Sequence, residues 1–210
     1  MRKLKQGVLI VFEGVDGVGK STQAKALYER LRKAHFETLL SREPTDGTWG
    51  QRLRQLIERG RKNTPPEEEL DWFIKDRSEH VKKTIGPGLQ KKKIVVLDRY
   101  YFSTIAYQSP LGFDPDEIER RNLAFAPPPD LLFLIALQPR SGLQRIAENR
   151  GKEADSFEKE DYLLKVDEVF RKIEKPFLHR LPGEETIQKL SNRAWNITME
   201  HLKERMLVAE

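Results

Sequence analysis

The run Gly14-Val15-Asp16-Gly17-Val18-Gly19-Lys20-Ser21 has the spacing G-x-x-x-x-G-K-S, and Thr22 follows it. This pattern restricts a fold tightly, because it works only in a turn that joins a buried strand to a helix. Glycines at 14, 17 and 19 let the backbone wrap an anion with its N–H groups. A helix opening at Lys20 aims its positive end at the same anion. Lys20 then reaches the outer phosphates of a nucleoside triphosphate, and the Ser21 hydroxyl becomes a ligand for Mg²⁺. The flanks meet the requirement. Val8–Phe12 is a continuous apolar run, and Ala24, Leu27 and Leu31 form one stripe on a helix from Lys20 to Ala34. The guanine-selective pattern N-K-x-D is absent from the chain, which argues against a GTPase switch.

Three more short apolar runs, at 38–40, 94–97 and 131–137, read as strands buried on both faces. Helical patterns fall at about 48–60, 66–84, 99–107, 115–125, 139–149, 158–180 and 191–206, and a weak last strand is expected near 184–190. Gly86-Pro87-Gly88 should break the third helical pattern, and Pro127-Pro128-Pro129 should stop the chain before the strand at 131. Strands alternating with helices predict right-handed crossovers and a doubly wound, five-stranded parallel sheet. No repeat, low-complexity tract or long linker divides residues 1–210, so one domain is expected. Ligands of such sheets sit at the carboxyl ends of the strands.

The net charge is +5, with both signs scattered along the chain. That suits a protein handling polyanionic nucleotides better than one binding nucleic acid, for which a basic stripe with interleaved aromatics is missing. Cysteine is absent, which removes disulfides and thiolate-bound metals and fits a reducing compartment. The apolar stretch after the basic start is too short for a signal peptide, and nothing approaches the ~20 apolar residues of a membrane span. A cytoplasmic protein without membrane partners is expected. His35, His80, His179 and His201 share no metal-ligand spacing and read as surface or helix residues, and the three tryptophans read as packing residues.

Four segments carry a family resemblance: residues 12–22 with the glycine-rich loop, Arg42-Glu43-Pro44, Asp98-Arg99-Tyr100, and Ser103-Thr104-Ile105-Ala106-Tyr107-Gln108. The chain resembles the thymidylate kinases of the nucleoside monophosphate kinase group, from Gly7 to about Leu190. The resemblance implies ATP and Mg²⁺ as donor and metal, dTMP as acceptor, a short lid and a homodimer. Asp98 ends a strand beside the loop and suits Mg²⁺ through a water, or else caps the next helix. Arg99 suits the acceptor phosphate as a bidentate donor. Arg42, at another carboxyl end, suits an incoming monophosphate, and Glu43 would orient the acceptor or a water near the metal.

Phe73 and Arg77 share one face of a helix. From the sequence alone Phe73 suits the core and Arg77 an exposed helix position. The resemblance instead has Phe73 stack on the base and Arg77 donate to O4 of thymine, where cytosine would present a second donor. It further has Asp16 bond the sugar 3′-hydroxyl and Tyr107 lie under the sugar against a 2′-hydroxyl. Thr104 and Gln108 then face the base.

Phosphoryl transfer needs water excluded and charge neutralised, which calls for a lid that carries arginine. The charged segment 147–160, with Gly151 as a hinge, suits it. Arg145, Arg150 and Lys152 are its bases. In the family the transition-state arginine sits in the loop or in the lid, and since the loop position is Gly17, Arg150 is the expected source. Three positions depart from the family pattern. Ser156 stands for an arginine, Ala136 for an aspartate and Phe170 for a tyrosine. A kinase for another monophosphate or a deoxynucleoside, and a nucleotide-binding regulator with little activity, are the alternatives these leave.

Overall fold

A computed structural model of the chain describes residues 2–59, 64–137, 157–203 and 205. Five strands form one sheet in the order β2-β3-β1-β4-β5, and every pairing is parallel. They are β1 (Val8–Glu13), β2 (Thr38–Arg42), β3 (Ile94–Asp98), β4 (Leu131–Ala136) and β5 (Leu178–Pro182). The predicted sheet is thus the one formed. The described helices are α1 (Lys20–Lys33), α2 (Thr48–Arg59), α3 (Pro66–His80), α4 (Gly86–Gln90), α5 (Tyr101–Gln108), α6 (Pro115–Leu123), α7 (Phe157–Lys172) and α8 (Ile187–Lys203). None of them is long and apolar enough to cross a membrane.

Every residue of β1 is buried, as are the first four of β3, because the central strands are covered on both faces. Ala24, Leu27 and Leu31 of α1 are buried in that core, as their spacing predicts. The register sets Phe12 and Arg42 on either side of Asp98, so the ends of β1, β2 and β3 lie side by side.

Two expectations fail here. The last strand is not at 184–190. It is β5, which overlaps the end of the helical pattern read at 158–180, and Ile187 already opens α8. The sequence Leu-His-Arg-Leu-Pro has little strand character of its own; its conformation comes from pairing with β4, Leu132 opposite Leu178 through Ala136 opposite Pro182. Nor does Gly86-Pro87-Gly88 break the third helix. The chain stays helical through a π-turn at Val81–Ile85 and runs on into α4. Pro87 follows directly on that π-turn, where the Gly86 N–H reaches back to the Val81 carbonyl. Gly88 is a close-approach position: a Cβ there would lie 2.9 Å from both Leu39 Cδ1 and Val95 Cγ2 of the sheet.

The loop after β2 is fastened to α3. Thr45 donates its N–H to Asp76 Oδ2 at 2.8 Å and its hydroxyl to Asp76 Oδ1 at 2.5 Å. Arg54 of α2 donates to the carbonyls of Pro44 and Thr45 at 2.9 and 2.6 Å. The segment leaving the end of β2 is therefore held from two helices.

Candidate functional site

The loop between β1 and α1 is shaped by glycines at left-handed angles. Gly14 has φ 139° and Gly19 φ 96°. A side chain at Gly14 would strike the Ile135 carbonyl oxygen at 2.6 Å, whereas Gly19 faces open space and is required for its backbone angle alone. Val15 and Val18 are buried and root the loop in the core. Lys20 is 6% exposed and donates to the Val15 carbonyl at 2.7 Å. Burial, and next the nearby Arg99 charge, push its ammonium down from 10.5 to about 8.

Ser21, next to Lys20, donates its hydroxyl to Asp98 Oδ2. Asp98 therefore faces the loop, and the cap position of α5 belongs to Tyr100. Asp98 Oδ1 is buried and has no hydrogen-bond partner among the described residues. A carboxylate oxygen in that state beside a hydroxyl fits Mg²⁺, which keeps most of its waters and takes few protein oxygens.

A second group begins inside the loop. Asp16 Oδ1 pairs with Arg99 Nη2 at 2.5 Å, and Asp16 Oδ2 accepts from the Tyr107 hydroxyl at 3.1 Å. The Arg99 guanidinium also lies 5.3 Å from the Tyr107 ring centre and donates from Nη1 to Ser103 Oγ at 2.8 Å. Arg99 sits at φ 72°, a conformation that costs a non-glycine residue about 1 kcal/mol or more and is tolerated where the surroundings over-determine it. Its own N–H, bonded to the Phe12 carbonyl at 3.0 Å, is part of that determination. Burial pushes the Tyr107 phenol up, so it stays a neutral donor toward Asp16.

Glu13 supports this turn and was not legible as a site residue. Its carboxylate is fully buried and accepts from the Tyr100 N–H at 2.7 Å, the Ser103 N–H at 3.0 Å and the Ser103 hydroxyl at 2.5 Å. Burial raises its pKa, against the pull of Arg99 and these donors. It ties the end of β1 to the start of α5.

The third group lies under α3. Arg77 is 1% exposed, the reverse of the exposed helix position its residue type suggests. Its Nε and Nη2 meet Glu43 Oε2 at 2.9 and 2.7 Å. Nη1 donates to Asn122 Oδ1 at 2.6 Å, and Nη2 to Thr104 Oγ1 at 3.0 Å. Glu43 Oε1 bonds His80 Nδ1 at 3.0 Å, and His80 Nε2 meets Ser41 Oγ at 2.8 Å. Both oxygens of Glu43 are thus engaged inside the fold, and His80 is a buried member of the group rather than a surface residue. Burial alone would raise the Glu43 pKa, but Arg77 and His80 hold it below 4.5. Neither His80 nor Asn122 carries a sequence signal for this role, since their partners lie 37 and 45 residues away.

Phe73 also departs from its sequence-based reading, being half-buried and outside the apolar core. Gln108 donates to Glu69 Oε1 at 2.9 Å, while its own Oε1 is buried without a partner among the described residues. Arg42 is exposed at the end of β2 and pairs with Asp46 at 3.2 Å. Thr22 is exposed at the start of α1. Phe170 is buried in the core. The hydroxyl that reaches the site from α7 is that of Tyr162, at 2.5 Å from the Tyr107 carbonyl. Arg145, Arg150, Lys152 and Ser156 lie outside the described residues.

Comparison with known proteins identifies the family. The family described as thymidylate kinase matches residues 12–194. A thymidylate kinase of Desulfotalea psychrophila is 45% identical over 184 residues, covering 88% of this chain and 90% of its own. One from Xylella fastidiosa strain M12 is 39% identical over 200 residues, or 95% of this chain and 90% of its own. The crystal structure of thymidylate kinase from Ehrlichia chaffeensis superposes with a TM-score of 0.73 at 27% identity, covering 91% of this chain and 98% of that one. Matched by that family over most of its length and carrying the glycine-rich loop, the Asp98-Arg99 pair and a buried Arg77, the chain belongs to the thymidylate kinase family.

Proposed function

We propose that this protein transfers the γ-phosphoryl group of ATP to dTMP, giving ADP and dTDP. The observation that carries the proposal is the Arg99–Asp16–Tyr107 group, which begins inside the phosphate loop itself. An arginine there meets a second phosphate next to the first. Whatever is bonded to that phosphate, a sugar in a nucleotide, then falls against Asp16 and Tyr107. An oxygen of the acceptor phosphate forms a bond to the γ-phosphorus, in line, as the bond to the bridging oxygen breaks and leaves its electrons on ADP.

In this reading Lys20 exchanges the Val15 carbonyl for phosphate oxygens, and Arg99 neutralises the acceptor. Ser21 and Asp98 would hold Mg²⁺, which when bound would supply positive charge to offset that of the phosphates. The base is read by what Arg77 has left. A guanidinium has five N–H groups. Glu43, Thr104 and Asn122 engage four, and the one remaining on Nη1 is a donor. It donates to a carbonyl such as O4 of thymine and rejects an amino group. Gln108 Oε1, without a partner among the described residues, suits the N3–H of the same ring, and Phe73 suits its face.

An ADP-release assay with Mg²⁺–ATP and a panel of nucleosides and monophosphates tests this. Preference for dTMP is the expected outcome. Retained ATP binding with no acceptor turned over would instead identify a regulator. Arg150 is the residue we propose for the transition-state charge, because the loop offers Gly17 where a side chain would be needed. Arg150→Ala should lower kcat by about a hundredfold or more. An unchanged kcat removes it from the mechanism.

A further inference from the structure

Tyr162 lies on α7, 55 residues from Tyr107 in sequence, and its hydroxyl donates to the Tyr107 backbone carbonyl at 2.5 Å. The two rings meet edge to face with centres 6.3 Å apart. Tyr107 is thereby held at three points. Asp16 accepts its hydroxyl, the Arg99 guanidinium faces its ring, and Tyr162 meets both its ring and its main chain. Tyr162 is itself partly buried against the core, so its ring is backed by packed side chains.

We infer that Tyr162 is a positioning residue that fixes the clearance beside the acceptor sugar and so sharpens the choice of deoxyribose over ribose. The inference rests on the proposed dTMP reading. An extra sugar hydroxyl beside Tyr107 demands either that the ring give way or that the sugar lift off, and lifting pulls the phosphate from Arg99. A ring that cannot retreat makes both costly. The contact from α7 blocks the retreat, because the Tyr162 ring and hydroxyl meet Tyr107 from another element. The discriminating atom is the Tyr162 hydroxyl, which Tyr162→Phe deletes while keeping the ring.

The test compares dTMP with ribothymidine 5′-monophosphate, which differs only by the 2′-hydroxyl, in wild type, Tyr162→Phe and Tyr162→Ala. The expected result is a fall of about fivefold in the dTMP:ribothymidylate ratio of kcat/KM for Tyr162→Phe, on the scale of one hydrogen bond, and a larger fall for Tyr162→Ala. The dTMP:dCMP ratio, set by the base, should not move. A sugar ratio unchanged in both variants, with the two acceptors slowed equally, overturns the inference and leaves Tyr162 a packing residue. Thermal melts confirm that both variants are folded. Should the wild type fail to use dTMP at all, the underlying reading fails instead, and the two failures are distinct.

Discussion

Lys20→Met should lower kcat by about a thousandfold and, in the nucleotide-free protein, raise the melting temperature. The first effect follows from the chemistry. Charge on the transferring phosphoryl group is stabilised by fixed cations in a site from which water is removed, and losing one such group costs roughly a hundred- to a thousandfold. The second follows from burial. An ammonium this deep, with Arg99 as a neighbour, titrates at about 8 rather than 10.5. Without phosphate, holding the charged form at neutral pH therefore costs the fold on the order of 1–3 kcal/mol. The sign can be checked against pH. From about 8 to 10.5 the unfolded chain keeps a proton that the folded chain has released, so wild-type stability rises with pH across that window. Met at position 20 removes that slope. Calorimetric melts at pH 7 and pH 9 measure both points, and a variant less stable than wild type at pH 7 would refute the account.

Glu43→Ala should be the most destabilising change in the site. It leaves the Arg77 guanidinium buried without its counter-charge and strips His80 of its Nδ1 partner. Breaking a buried pair by deleting one member costs about 3–5 kcal/mol, or roughly 10 °C in a protein of this size. Glu43→Gln, which keeps an acceptor oxygen, should cost less in stability while still loosening Arg77 and raising KM for the acceptor more than KM for ATP. The pH dependence is again specified. Glu43 titrates below 4.5 when folded, so its contribution is intact above that value and is lost as pH falls through the lower one. Glu43→Gln should flatten that acid limb in urea titrations. Equal acid limbs would mean that the pair carries no net stability.

These two residues show what the chain made readable. Lys20 stands in a motif whose parts are all within eight positions, so its site could be read directly. The sheet was readable too, because central parallel strands are continuous apolar runs. The edge strand β5 was not, since Leu178–Pro182 owes its conformation to β4 rather than to its own residues. The Arg77 group fell between. Its members come from β2, α3, α5 and α6, with 27 to 45 residues between partners, and a helical wheel cannot tell a buried arginine from a solvated one. Residue type alone puts Phe73 inside and Arg77 outside, whereas the fold leaves Phe73 half-buried and buries Arg77, to which Glu43 and Asn122 supply partners that local sequence does not announce.

The cradle's donors are already in use within the chain. Lys20 is on the Val15 carbonyl, Ser21 on Asp98, and Arg99 on Asp16 and Ser103. Filling the site is therefore in part an exchange reaction, in which each bond that these three side chains make to a ligand replaces one that the protein had made to itself. A small lone anion, which meets one or two of these groups, is held weakly after such an exchange. A nucleotide that displaces several at once is held in proportion, so the resting bonds act as a threshold that scales recognition with the number of groups engaged together.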